Sequence, residues 1–131
     1  MAKILIVDDD QALLTVFATA LQKADFEIIT ASTGNEGFEK AKSEQPNLVL
    51  LDQVLPDING NDVLKKLKED PQTKDLLVAM LSNFGQNELV NQAIQTGALD
   101  YILKYQIEPE DLVNKVNGFL KEKEEKVNAT A

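Results

Sequence analysis

The chain has no cysteine and no histidine, and its thirteen basic residues are all lysine, so arginine is missing as well. Each absence removes a class of chemistry. Without cysteine there are no disulfides, thiolate nucleophiles or zinc-thiolate sites. Without histidine there is no Ser-His-Asp triad, no imidazole general base and no imidazole metal ligand. Without arginine there is no bidentate guanidinium clamp on a phosphate. Long apolar runs are also lacking, and a single Lys3 before the short run Ile4-Leu5-Ile6-Val7 falls well short of a signal peptide. A soluble, cytoplasmic protein with no membrane insertion is the expectation. Positive charge is scarce too: the formal net charge is −9. Nucleic acids and anionic membranes need clustered cations to release counterions, so direct nucleic-acid binding is not expected. Reactive chemistry is left to carboxylate, hydroxyl, lysine or a bound metal.

What is present is a repeated pattern. Four apolar runs each end in a reactive polar residue: Ile4-Leu5-Ile6-Val7 into Asp8-Asp9-Asp10, Leu48-Val49-Leu50-Leu51 into Asp52, the run 76–81 into Ser82, and Tyr101-Ile102-Leu103 into Lys104. Buried parallel strands read as continuous apolar runs, and their alternation with amphipathic stretches gives five βα units. Strands are expected at 3–7, 26–31, 48–51, 76–81 and 99–103. The first helix spans 11–23, with Leu13, Leu14, Phe17, Ala20 and Leu21 at helical spacing and Asp10 as its N-cap. Thr33-Gly34-Asn35-Glu36 opens the second like a capping box, over a thin apolar face of Phe38 and Ala41. The third, 61–69, buries Val63, Leu64 and Leu67. Leu89, Val90, Ala93 and Ile94 form the stripe of the fourth, which Gly97 stops. The last begins at Pro109 and carries Leu112, Val113, Val116, Phe119 and Leu120 on one face. The 131 residues suit one domain, 1–122, with 123–131 as a disordered tail.

Right-handed crossovers fold five such units into an α/β doubly wound five-stranded parallel sheet with helices on both faces, in the flavodoxin-like order 2-1-3-4-5. Strands one and three are then neighbours, and the switch point between them brings Asp8, Asp9 and Asp52 together. Carboxylates so placed repel unless a proton or a cation sits among them. A donor set of oxygen alone favours magnesium, with manganese as a substitute. Such an ion would shield an incoming phosphoryl group and let Asp52 act as a nucleophile to form an acyl phosphate. Lys104 and Ser82 would hold the phosphoryl oxygens as point charge and hydroxyl donor. Taken singly, the aspartates suit turns and caps, Ser82 suits the start of a loop, and Lys104 suits a strand-end lysine that snorkels to water. It is their joint placement on one sheet edge that points to a site.

The motifs Ile4-Leu5-Ile6-Val7-Asp8-Asp9-Asp10, Leu50-Leu51-Asp52 followed by Leu55-Pro56-Asp57 and Asn59-Gly60, Leu81-Ser82, and Gly97-Ala98 leading into Asp100-Tyr101-Ile102-Leu103-Lys104 together resemble the receiver domain of two-component response regulators, over about 2–121. The order 2-1-3-4-5 is itself the known order of that family. The resemblance implies a stand-alone, chemotaxis-regulator-like phosphorelay receiver that accepts a phosphoryl group on Asp52 from a sensor histidine kinase or phosphotransfer protein. Asp8 and Asp9 would hold magnesium with Asp52 and the Val54 backbone carbonyl. Ser82 corresponds to the hydroxyl that moves onto the phosphoryl group, Lys104 to the lysine that pairs with it, and Tyr101 to the aromatic that turns inward on activation. The family implies no substrate turnover beyond self-phosphotransfer and slow autodephosphorylation, and output to an unknown downstream protein through the fourth helix, fifth strand and fifth helix.

Three positions depart from the family pattern. Gln53 stands where an apolar residue is usual, and Asn83 stands where a small one is usual and is expected to narrow access. Tyr105 replaces a proline normally in cis linkage; a cis bond to a non-proline residue costs about 3 kcal/mol, so a trans Lys104-Tyr105 bond is expected. Apolar Val54 and Phe84 flank the path of an attacking water and give it no hydrogen-bond guidance, which predicts slow hydrolysis of the aspartyl phosphate. The rival readings are a magnesium phosphohydrolase with Asp8 as nucleophile and Asp10 as acid, and a receiver-like module that binds a partner without phosphorylation. A nucleotide-binding domain lacks its Gly-rich phosphate loop.

Overall fold

The computed structural model describes residues 1–130, and the side chains of 1–125. The elements alternate along the chain: β1 Lys3–Val7, α1 Gln11–Lys23, β2 Glu27–Ala31, α2 Gly34–Glu44, β3 Leu48–Leu51, α3 Gly60–Glu69, β4 Leu77–Ser82, α4 Asn87–Thr96, β5 Tyr101–Leu103, a 3-10 turn Lys104–Gln106, and α5 Pro109–Thr130. The five strands pair in parallel in the order β2-β1-β3-β4-β5, as the alternation of apolar runs with amphipathic stretches requires.

Side chains alternate across the strands and so divide the core in two. Leu5, Val7, Val49, Leu51, Val78 and Met80 pack under Ala41 of α2, Val63, Leu64 and Leu67 of α3 and Ala93 of α4. Ile4, Ile6, Leu48, Leu50, Ala79 and Leu81 pack under Leu14, Phe17 and Leu21 of α1 and Leu112 and Val116 of α5. Strands buried on both faces explain why the sequence shows unbroken apolar runs there and no alternation.

The helix starts follow their caps. Asp10 accepts from the Leu13 N–H at 3.2 Å, Thr33 from Glu36 at 3.0 Å and Asn59 from Asp62 at 3.0 Å. Glu36 closes its capping box on the Ser32 N–H at 2.8 Å. Gly97, at φ 120°, ends α4.

Several expectations need correction. Strand β4 begins at Leu77, because the Leu76 N–H bonds to the Thr73 carbonyl in the turn before it. Strand β5 begins at Tyr101: the Ala98 N–H still closes the end of α4 on Ala93, and Leu99 points partly to solvent. Of the stripe expected on α4 only Ala93 is buried, and Ile94 is 46% exposed. That helix lies towards an edge where the last strand is only three residues long, too small to cover it. Helix α5 runs on to Thr130, through the stretch where a tail was expected. Lys121-Glu122-Lys123-Glu124-Glu125 is rich in strong helix formers, so helix can continue without an apolar face. Ala131 lies outside the described residues. Among the described residues no helix is long and apolar enough to cross a membrane.

One glycine is fixed by close approach. A Cβ on Gly60 would stand 2.2 Å from the Asp52 carbonyl oxygen and 2.8 Å from the Gln53 Cα, and its N–H donates to the Gln53 carbonyl at 2.7 Å. The start of α3 therefore rests directly on the backbone that follows β3. Gly60→Ala is expected to lower unfolding free energy by about 1–3 kcal/mol in urea titrations, since backbone must move to make room. An unchanged midpoint would contradict that contact.

Candidate functional site

Register sets the site. Val7 pairs with Leu51, so the next residues, Asp8 and Asp52, leave adjacent strands side by side. Their backbones are still tied to the sheet, through Asp52 N–H to Val7 O at 2.9 Å and Asp8 N–H to Ala31 O at 2.9 Å. Asp8 is 2% and Asp52 6% exposed, whereas Asp9 faces solvent. One carboxylate oxygen from each of the three lies within 4.8 Å of the others.

On the far side, Ser82 pairs with Leu103, which delivers Lys104 to the same edge. The lysine is 7% exposed, and its Nζ stands 2.6 Å from Asp8 Oδ2 and 3.3 Å from Asp52 Oδ1. It does not snorkel to water; it bridges two buried carboxylates. The other Asp8 oxygen accepts the Asp10 N–H at 3.0 Å. A lone lysine does not balance this much negative charge. Burial, with the neighbouring Asp8 charge adding to it, pushes the Asp52 carboxyl from its ordinary 3.8 up to about 6 against the pull of Lys104 and of the Val54 backbone hydrogen bond. An all-oxygen donor set still short of positive charge is one that a divalent cation fits.

The loop after β4 is held from two sides. The buried Ser82 hydroxyl oxygen accepts the Phe84 N–H at 3.0 Å, and the Tyr101 hydroxyl donates to the Phe84 carbonyl at 2.5 Å. Burial raises the Tyr101 phenol above its ordinary value, Ser82 lowers it through a hydrogen bond, and the Asp52 charge raises it further. Val54 is 53% and Phe84 44% exposed at the rim, and Asn83 also faces solvent. No described peptide bond is cis, so the Lys104-Tyr105 bond is trans as expected, and the chain continues into the 3-10 turn with Tyr105 outward.

Two polar residues with no place in the apolar pattern are buried beside the site. Gln53 is 3% and Asn61 4% exposed. Asn61 donates to the Leu89 carbonyl at 3.3 Å and to Gln92 Oε1 at 2.9 Å. The side-chain carbonyl oxygens of both Gln53 and Asn61 have no hydrogen-bond donor. Asn61 thus makes the α3–α4 contact polar, and nothing in sequence periodicity marks it.

The raised Asp52 carboxyl has a pH consequence. Between about pH 4 and 6 the unfolded chain has already ionised at this position while the folded chain still holds the proton, so stability falls as pH rises through that window. In chelator-treated protein, the stability gain of Asp52→Asn over wild type should grow from pH 4 to 6 and then level off, read by urea unfolding. A gap independent of pH would contradict the assignment.

The family model of the response regulator receiver domain matches residues 4–117. The chain is 34% identical over 121 residues to the DNA-binding dual master transcriptional regulator RpaA of Synechocystis, covering 92% of this chain and 50% of that one. It is also 34% identical over 117 residues to the chemotaxis protein CheY of Thermotoga maritima, covering 88% and 94%. A CheY-like response regulator receiver domain of Methanospirillum hungatei superposes with a TM-score of 0.90 at 32% identity, over 96% of this chain and 98% of that one. The chain spans about half the length of the transcriptional regulators it matches. With its strand order, its acidic edge and these matches in agreement, the chain belongs to the response regulator receiver domain family.

Proposed function

We propose that the chain is a phosphorylatable switch in which Asp52 accepts a phosphoryl group from a phosphohistidine of a sensor kinase or phosphotransfer protein. The observation that carries this reading is the convergence of Asp8, Asp9 and Asp52 with the buried Lys104 on one sheet edge. Asp8, Asp9, Asp52 and the Val54 backbone carbonyl would hold magnesium, or manganese in its place. When bound, the ion would offset carboxylate charge and so lower the barrier to approach of a phosphoryl group.

An Asp52 oxygen attacks phosphorus, the P–O bond forms as the P–N bond to the donor imidazole breaks, and the imidazole leaves with the bonding pair. Lys104 exchanges part of its contact with the carboxylates for the new phosphoryl oxygens, and Ser82 gives up the Phe84 N–H to donate to another. Because Ser82 and Tyr101 both hold Phe84, a change at Ser82 reaches Tyr101 and the surface of α4, β5 and α5. That surface, where Ile94 and Leu99 are exposed, is the one assigned to a downstream protein. Asp10, needed as the acid by a phosphohydrolase, caps α1 instead.

Incubation with acetyl phosphate and magnesium should add one phosphoryl group by intact mass, dependent on the ion and lost in Asp52→Asn. Once the donor is removed, the adduct should decay slowly, and several-fold faster in Val54→Asn, which gives the attacking water a hydrogen-bond partner. No adduct, or one that persists in Asp52→Asn, would defeat the proposal; equal decay in both proteins would defeat the role given to the apolar rim.

A further inference from the structure

The segment between β3 and α3 carries Asp52 at its start and the Val54 carbonyl two residues on, and it is exposed at Val54 and Pro56. An exposed loop holds a backbone ligand in place only if it is tied down. One tie is Gly60 N–H to Gln53 O at 2.7 Å. The second comes from Asp57, whose carboxylate reaches the start of α2: Oδ1 accepts the Gly34 N–H at 2.8 Å and Oδ2 the Asn35 N–H at 2.9 Å.

Those are first-turn N–H groups, without partners inside their helix and at its positive end. The local cap takes other donors: Thr33 accepts from Glu36, and Glu36 accepts from Ser32. Asp57 thus supplies two acceptors that the sequence around α2 does not. The Asn35 N–H above all holds the Asp57 carboxyl below its ordinary value, so it is a carboxylate at neutral pH. The contact is tight as well as polar. A Cβ on Gly34 would lie 2.4 Å from Ile58 Cγ2 and 3.3 Å from Asp57 Oδ1. The loop is docked onto α2 itself.

We propose that Asp57 is a positioning residue for the divalent cation, clamping the first turn of α2 and thereby fixing the loop that carries the Val54 carbonyl. This rests on the metal-binding reading above. Asp57 supplies no ligand and touches no reacting atom, so its removal weakens affinity for the ion while leaving Asp52, Ser82 and Lys104 in place. Partners that orient metal ligands commonly affect metal affinity by tenfold or more.

The test is a magnesium titration of the full chain, followed by amide NMR, for wild type, Asp57→Ala, Asp57→Asn and Thr33→Ala. Asp57→Ala should bind about tenfold more weakly. Asp57→Asn, which keeps one acceptor oxygen, should fall between. Thr33→Ala removes the local cap of α2 without touching the loop and should bind like wild type. In metal-free Asp57→Ala the Gly34 and Asn35 amides should exchange faster. Labelling by acetyl phosphate should need more magnesium yet reach the wild-type rate at saturation. Wild-type affinity in both Asp57 variants, or equal weakening in Thr33→Ala, would overturn the positioning role while leaving metal binding intact. A wild-type chain that binds no magnesium would overturn the metal-binding reading itself. Should Asp57→Ala not fold, Asp57→Asn decides, since wild-type affinity there is the overturning result.

Discussion

The arrangement depends on one imbalance of charge: two carboxylates, Asp8 and Asp52, buried at adjacent strand ends with a single buried ammonium, Lys104, between them. Burying three charges is expensive, and removing one partner of such a group is far more destabilising than the intact group is stabilising. The sheet makes the cluster unavoidable. Once Val7 pairs with Leu51 and Ser82 with Leu103, the residues that follow have nowhere else to go. Burial first, and the Asp8 charge after it, outweigh the pull of Lys104 and push the Asp52 carboxyl up to about 6. A site short of one positive charge and built of oxygen donors is ready for a cation and, with it, for a phosphoryl group.

The surroundings divide into a rigid half and a lightly held half. Strands β1 and β3 are buried on both faces and closed over by α1, α2, α3 and α5. Beyond β4 the packing thins. Helix α4 buries only Ala93, lacks a side-chain cap, and meets α3 across a seam where two amide carbonyls have no donor. Apolar burial at roughly 25 cal/mol per Å2 is the main source of cohesion, and this helix receives little of it. Ser82 and Tyr101, the groups proposed to read phosphorylation, both hold the loop that leads into α4. A small rearrangement at Ser82 therefore meets little resistance in α4.

Much of this was legible in the sequence because its strands are buried on both sides. Runs such as Leu48-Val49-Leu50-Leu51 announce a central parallel strand, and order and register then place Asp8 against Asp52. Asp10 and Thr33 mark helix starts through side-chain chemistry that acts within three residues, so local sequence is enough. What could not be read depends on distant partners. Asp57 looks like a turn residue until the fold brings Gly34 and Asn35 to it from 23 and 22 residues away. Asn61 is polar and buried, against its ordinary preference, and only the packing of α3 on α4 reveals it. Leu89, Val90 and Ile94 have helical spacing for a buried face, but spacing does not say whether the sheet is wide enough to cover it. Nor does a fading apolar stripe say that a helix ends, as the charged last turns of α5 show.

The central claim is that Lys104 partly neutralises a carboxylate pair that would otherwise be too costly to bury. Urea unfolding of Lys104→Met at pH 7, with chelator and then with saturating magnesium, tests it most directly. The account predicts a loss of about 3–5 kcal/mol with chelator, and a larger stabilisation by magnesium than in wild type, because the ion then replaces the missing charge. Wild-type stability with chelator, or magnesium stabilisation no greater than that of wild type, would contradict it.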